Sequence, residues 1–147
     1  MLRLPTILFI TLLSFDLAAK SNNKIYFYQP EKVTLTGKLF LKTFPGPPNY
    51  ESIKRGDRPE RAWYLKLDKK IDVLLNKNIP AMGNDEDERN IDLLQLAISY
   101  QKKEFKGFEK KFPVGSRVKM SGTLFRMFTG HHHTRVLLDL EKLVRID

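Results

Sequence analysis

The chain of 147 residues contains no cysteine. That excludes disulfide staples, thiol catalysis, thiolate-held metal and acylation at a lipoprotein cysteine. There is no GxSxG elbow, P-loop or dinucleotide fingerprint, so the common nucleophile and nucleotide signatures are missing. No apolar run is long enough to span a bilayer. Histidine is scarce and oddly placed: the three present are consecutive, His131, His132 and His133, between Gly130 and Thr134. Acidic residues are in deficit, 17 against 26 Lys and Arg, giving a formal net charge of +9. Such a surface favours polyanions or acidic partners. Solubility alone also accounts for it.

The first residues read as an export leader. Arg3 gives a positive start, residues 4–13 a short apolar stretch, and Ala18 and Ala19 the small residues of a cleavage site. The expected division is a leader at 1–19, a polar lead-in at 20–32 and one domain at 33–147. The product is expected to be monomeric, periplasmic or secreted, and free of integral membrane association once the leader is removed.

Hydrophobic alternation marks the strands. Val33, Leu35, Gly37, Leu39 and Leu41 fall on one face, and Thr34, Thr36, Lys38, Phe40 and Lys42 on the other. Trp63, Leu65 and Leu67 repeat the pattern, with Ile71 and Val73 continuing it as one long bent strand or a hairpin. Residues 91–98 read as a third strand, 117–128 as a fourth and 135–146 as a last, with a short extra strand possible at 25–28. Between the third and fourth, residues 99–110 predict a helix. Ser99 is placed to cap it, and Phe105, Phe108 and Phe112 recur at helical spacing. Gly37 and Gly122 occupy equivalent places in two similar stretches, each after a hydroxyl residue and two before a leucine. Mid-strand glycine marks a bulge or a sharp bend.

Five strands with a helix between the third and fourth predict a mainly β fold, a small OB-like barrel. In that fold the first and the last inter-strand loops border one face. Here these are the proline-rich stretch at 45–61 and the histidine loop at 130–134. The groove between them is the expected ligand site, with Asn49, Tyr50, Glu51, Asp57, His131, His132, His133 and Thr134 as candidate contacts.

The histidines have three readings. His131 and His133 on one side of an extended loop can chelate a divalent ion, zinc or copper, with help from Glu51, Asp57 or Glu60. They can instead lock the loop through backbone carbonyls, with Gly130 and Thr134 assisting. They can also sense pH. The run Asp85-Glu86-Asp87-Glu88 fits no EF-hand spacing and reads as a solvated loop. Arg55-Gly56-Asp57 spells an adhesion tripeptide, a match of low specificity.

No catalytic signature is present, so a binding module is favoured over an enzyme. Its ligand is expected to be a polar or anionic small molecule or a protein of the envelope. Phe40, Tyr64, Phe125 and Phe128 among basic residues suit single-stranded nucleic acid, but export argues against it. The alternatives are a metal-binding, hydrolytic His-loop protein and an inhibitor or immunity protein for an extracellular enzyme.

The segments Pro45-Gly46-Pro47-Pro48-Asn49-Tyr50-Glu51-Ser52-Ile53, Gly122-Thr123-Leu124-Phe125 and Gly130-His131-His132-His133-Thr134 resemble those of an uncharacterised family of exported bacterial domains. Its mark is a C-terminal His-His-Thr motif. Arg135 departs from the uncharged residue expected there. The resemblance implies a bacterial, exported domain and carries no activity.

Overall fold

The computed structural model describes residues 22–80 and 86–146. The expected leader at 1–19 and the first acidic residue of the 85–88 run lie outside them. The architecture is mainly β: β1 (Lys24–Phe27), β2 (Lys32–Pro45), β3 (Pro59–Leu74), β4 (Glu88–Ala97), β5 (Arg117–Arg126) and β6 (Val136–Arg145). All six belong to one sheet, in the order β1–β3–β2–β5–β6–β4. β4 also pairs with β3, so the path of hydrogen bonds through β2 to β6 returns to its start. Most neighbours are antiparallel; β1–β3 and β4–β6 are parallel.

Alternation produces the core. Leu39, Leu65, Leu94, Val118, Leu124, Leu138 and Leu140 all point to one buried cluster with Trp63. β3 is a single strand and not a hairpin. Its register with β4 shifts between Lys66 and Ile71, and again before Val73, which lets it bend. β1 adds a sixth strand beside Ile71–Leu74, beyond the five of the expected barrel.

The helix expected at 99–110 does not form. Its place is taken by turns, a single 3-10 turn at Lys103–Phe105 and one helical turn, α1 (Phe108–Lys111). Ser99 does not cap a helix; its carbonyl accepts the Lys102 N–H in a turn. Gly107 in the left-handed region separates the two short pieces. The phenylalanine spacing has another cause. Phe105 and Phe108 are both buried, and Phe108 packs edge-on to Trp63 at 5.1 Å and against Phe112 at 5.2 Å. The segment plugs one end of the core, and tertiary burial outweighs local helical preference.

The two mid-strand glycines are sites of close backbone approach. A Cβ built on Gly37 would overlap the Lys66 carbonyl oxygen, and one on Gly122 the Asp139 carbonyl oxygen. Gly122 sits where the β5–β6 register slips by a residue, a bulge. Neither carbonyl is free to yield, since each belongs to a neighbouring strand. Gly122→Ala and Gly37→Ala are each expected to cost about 3 kcal/mol or more. Chemical denaturation checks this, with the Gly130→Ala variant, which meets nothing within 4 Å, as the tolerant control.

Candidate functional site

Register places a row of partners on the face of the sheet opposite the core. Phe125 faces Leu137, Leu137 faces Gln95, Gln95 faces Tyr64 and Tyr64 faces Phe40. Leu137, Gln95 and Tyr64 are nevertheless buried, with Tyr64 only 1% exposed. The histidine loop, residues 127–135, folds over Gln95, while the Tyr64 ring packs against Phe44 with the Lys42 ammonium over its face. The Met127 N–H to Arg135 carbonyl bond closes the loop's base at 3.0 Å.

Gln95 anchors this cover. Its Nε2 donates to the His131 carbonyl at 2.7 Å, and its Oε1 accepts the His133 N–H at 2.6 Å. The Gln95 N–H donates to Thr134 Oγ1 at 3.0 Å, and that hydroxyl donates to the Val136 carbonyl at 2.7 Å. Thr134 is therefore a loop fastener.

The three histidines have three different surroundings. His131 Nδ1 lies 2.8 Å from both carboxylate oxygens of Glu60, and its Nε2 is 3.3 Å from the Tyr50 hydroxyl. A carboxylate only accepts, so Nδ1 carries the proton that faces Glu60. His132 accepts the Phe128 N–H on Nδ1 at 3.1 Å and meets the Phe125 and Phe128 rings edge-on. Burial holds it below the ordinary histidine range, and the neighbouring His131 and His133 add to this. His133 lies flat on Phe44, ring centroids 3.8 Å apart and planes within 6°. Burial also lowers its pKa, against the opposing pull of Glu60. Both rings therefore stay neutral at pH 7. His133 Nε2 and the Tyr64 hydroxyl are buried without a hydrogen-bond partner. Burial, with the Glu60 charge nearby, pushes the Tyr64 hydroxyl up to about 12.

The loop at 46–58 is built around a carboxylate. Asp57 is 4% exposed. It accepts the N–H groups of Asn49 (2.9 Å), Glu51 (2.8 Å) and Ser52 (2.7 Å), and the Asn49 side-chain amide. Tyr50, between them, takes a left-handed φ of 59°, which turns successive N–H groups to one centre. The Ser52 and Asn49 N–H groups, outweighing burial, hold the Asp57 carboxyl below the usual range. Asp57 thus faces the loop's own backbone, and the Arg55-Gly56-Asp57 tripeptide does not display it. Glu51 pairs with Arg55 at 3.0 Å.

The expected convergence of the two loops is present, through Tyr50, His131 and Glu60. Of the candidate contacts, Tyr50 and His131 meet. Asn49 and Asp57 work inside one loop, whereas His132, His133 and Thr134 hold the other to Phe125, Phe44 and Gln95 of the strands. Among the described residues no group of three or more His, Asp or Glu is arranged to hold a metal ion. Phe44, Glu60, Tyr64 and Gln95 complete the site beyond the candidate contacts. Gln95 left a trace in the sequence, as the lone uncharged polar residue in the apolar run from Leu93 to Leu96.

Residues 93–144 match the model of a family described as a domain of unknown function, DUF4431. The match covers Gln95, the histidine loop and most of β4 to β6. The loop at 46–58 falls outside it. No curated protein matches the chain. No helix among the described residues is long and apolar enough to cross a membrane.

Two outcomes follow for stability. Tyr64→Phe removes a buried hydroxyl that has no partner and is expected to stabilise the fold by about 1 kcal/mol in chemical denaturation. Asp57→Asn is expected to lower the melting temperature at neutral pH. Because the folded pKa is depressed, the wild type's advantage is full above the ordinary value of 3.8 and fades as pH falls toward the folded value. Melting curves of both proteins across pH 2–7 should converge at the acid end.

Proposed function

We propose that this chain is an exported binding module on an OB-like five-stranded barrel, with β1 as an addition, and that its two tied loops present a surface to a protein partner of the envelope. The barrel reading is supported by the closed path of pairing and by the parallel β4–β6 contact. Non-catalytic binding is supported by where several polar groups of the loops go: Asn49, Asp57, His132 and Thr134 hold the loops in shape.

The observation that carries the reading is what those held loops leave outside. Phe128 is 77% exposed, beside Met127 at 44% and, on the other loop, Tyr50 at 40%. Phe128 touches His132, and Tyr50, from the other loop, touches His131, so both rings rest against the fastened histidine loop. Exposed aromatics on a stiff support lose little entropy on binding and are the residue types that dominate interface energies. A charge of +9 favours an acidic partner.

The test uses the full chain in the cells that produce it, with a benzophenone amino acid in place of Phe128 or, as a control, of the exposed Val144. A discrete protein adduct is expected from position 128 and not from 144. Tyr50→Ala should weaken the adduct by about fivefold or more. No adduct at 128, or the same adducts from both positions, overturns the reading.

A further inference from the structure

β3 changes partners midway. Its ladder with β2 ends at Leu67 opposite Gly37, and its ladder with β1 begins at Ile71 opposite Lys24. Residues 68–70 bridge the two ladders, and beside them a cleft of about 600 Å³ opens between β1, β2, β3 and the start of β5. None of its lining residues belongs to the two loops described above.

The lining is cationic. Lys24, Lys69, Lys70 and Arg117 face a single carboxylate, Asp68. That carboxylate is already engaged: Arg117 Nη2 is 2.8 Å away, and the Thr36 hydroxyl bonds to it as well. Among the described residues no carboxylate lies within ion-pair distance of Lys24, Lys69 or Lys70. Lys70 is attracted toward Asp92, whose direct partner is Lys66. Lys24 is held over the Tyr26 ring at 4.8 Å, and the Tyr26 hydroxyl donates to the Thr34 carbonyl at 3.3 Å, so one wall is braced. The Asn22 amide and the Thr34 side chain add neutral hydrogen-bonding groups to the lining.

We propose that this cleft is a binding site for a small phosphorylated compound, its phosphoryl oxygens held by Lys24, Lys69 and Lys70. The volume lies within the range of small-molecule sites, roughly 300–1,000 Å³. More than one unmatched positive charge calls for a ligand with more than one negative charge, which a phosphoryl group supplies and a single carboxylate does not. Ammonium groups with amide and hydroxyl neighbours form a phosphate-binding donor set.

The experiment is an amide and lysine-side-chain NMR titration of the mature protein at constant ionic strength. The probes are orthophosphate, pyrophosphate, glucose 6-phosphate and, as a neutral control, glucose. Saturable shifts at Lys24, Lys69 and Lys70 are expected with the phosphates and not with glucose. Tighter binding of glucose 6-phosphate than of orthophosphate assigns the site to a phosphorylated metabolite, and the strongest response to pyrophosphate assigns it to the free polyanion. The double variant Lys69→Glu/Lys70→Glu should weaken binding more than tenfold. Lys110→Glu/Lys111→Glu makes the same charge change outside the cleft and should leave it within twofold. Shifts that never saturate, or equal weakening in both double variants, would reduce the effect to bulk charge and overturn the proposal.

Discussion

Two strand crossings so close that no side chain fits between them set the shape of this protein. At Gly37 the backbone of β2 meets the Lys66 carbonyl of β3, and at Gly122 that of β5 meets the Asp139 carbonyl of β6. Both lie in strands that also pair with each other, Gly37 opposite Val118 and Gly122 opposite Val33. The sheet is thereby coiled at two corners of one ladder. That coiling lets β4 reach β3 and closes the path of pairing. The loops that follow β2 and β5 meet at Tyr50 and His131.

The outer layer follows from that closure. A sheet residue opposite the core normally meets water, yet Leu137, Gln95 and Tyr64 do not. The histidine loop makes a second, thin layer over Gln95, with Phe44 and His133 stacked at its edge and Phe44 packed against Tyr64. Its polar backbone is answered from below by one carboxamide, that of Gln95. The 46–58 loop solves the same problem from within, using the Asp57 carboxylate as its centre. Two buried polar atoms, Tyr64 Oη and His133 Nε2, are left out of this accounting, and they mark where shape has been kept at some expense of stability.

The sequence and the structure agree where a pattern has a single cause. Period-two alternation located β2, β3 and β5 within a few residues, since only a half-buried strand writes that pattern. The glycine echo pointed to corners because a glycine between Ser121 and Thr123 has no other use there. The phenylalanines at 105, 108 and 112 misled because a helix and an irregular plug both place them inward. The roles of His131 and His133 were not legible, since each is set by a residue distant in sequence, Glu60 for His131 and Phe44 for His133. The outer row was equally hidden, because alternation assigns Tyr64 to the solvent side and says nothing of a loop that returns over Gln95.

The inward aim of the loop amides has a consequence for time as well as for shape. The N–H groups of Asn49, Glu51 and Ser52 end on Asp57, and that of His133 ends on Gln95, so none of them faces water. These amides wait for a cooperative opening before they meet solvent, as strand amides do. In hydrogen-exchange terms the rigid body of this protein extends past its strands into two loops that, by their proline, glycine and histidine content, would pass for its most restless parts.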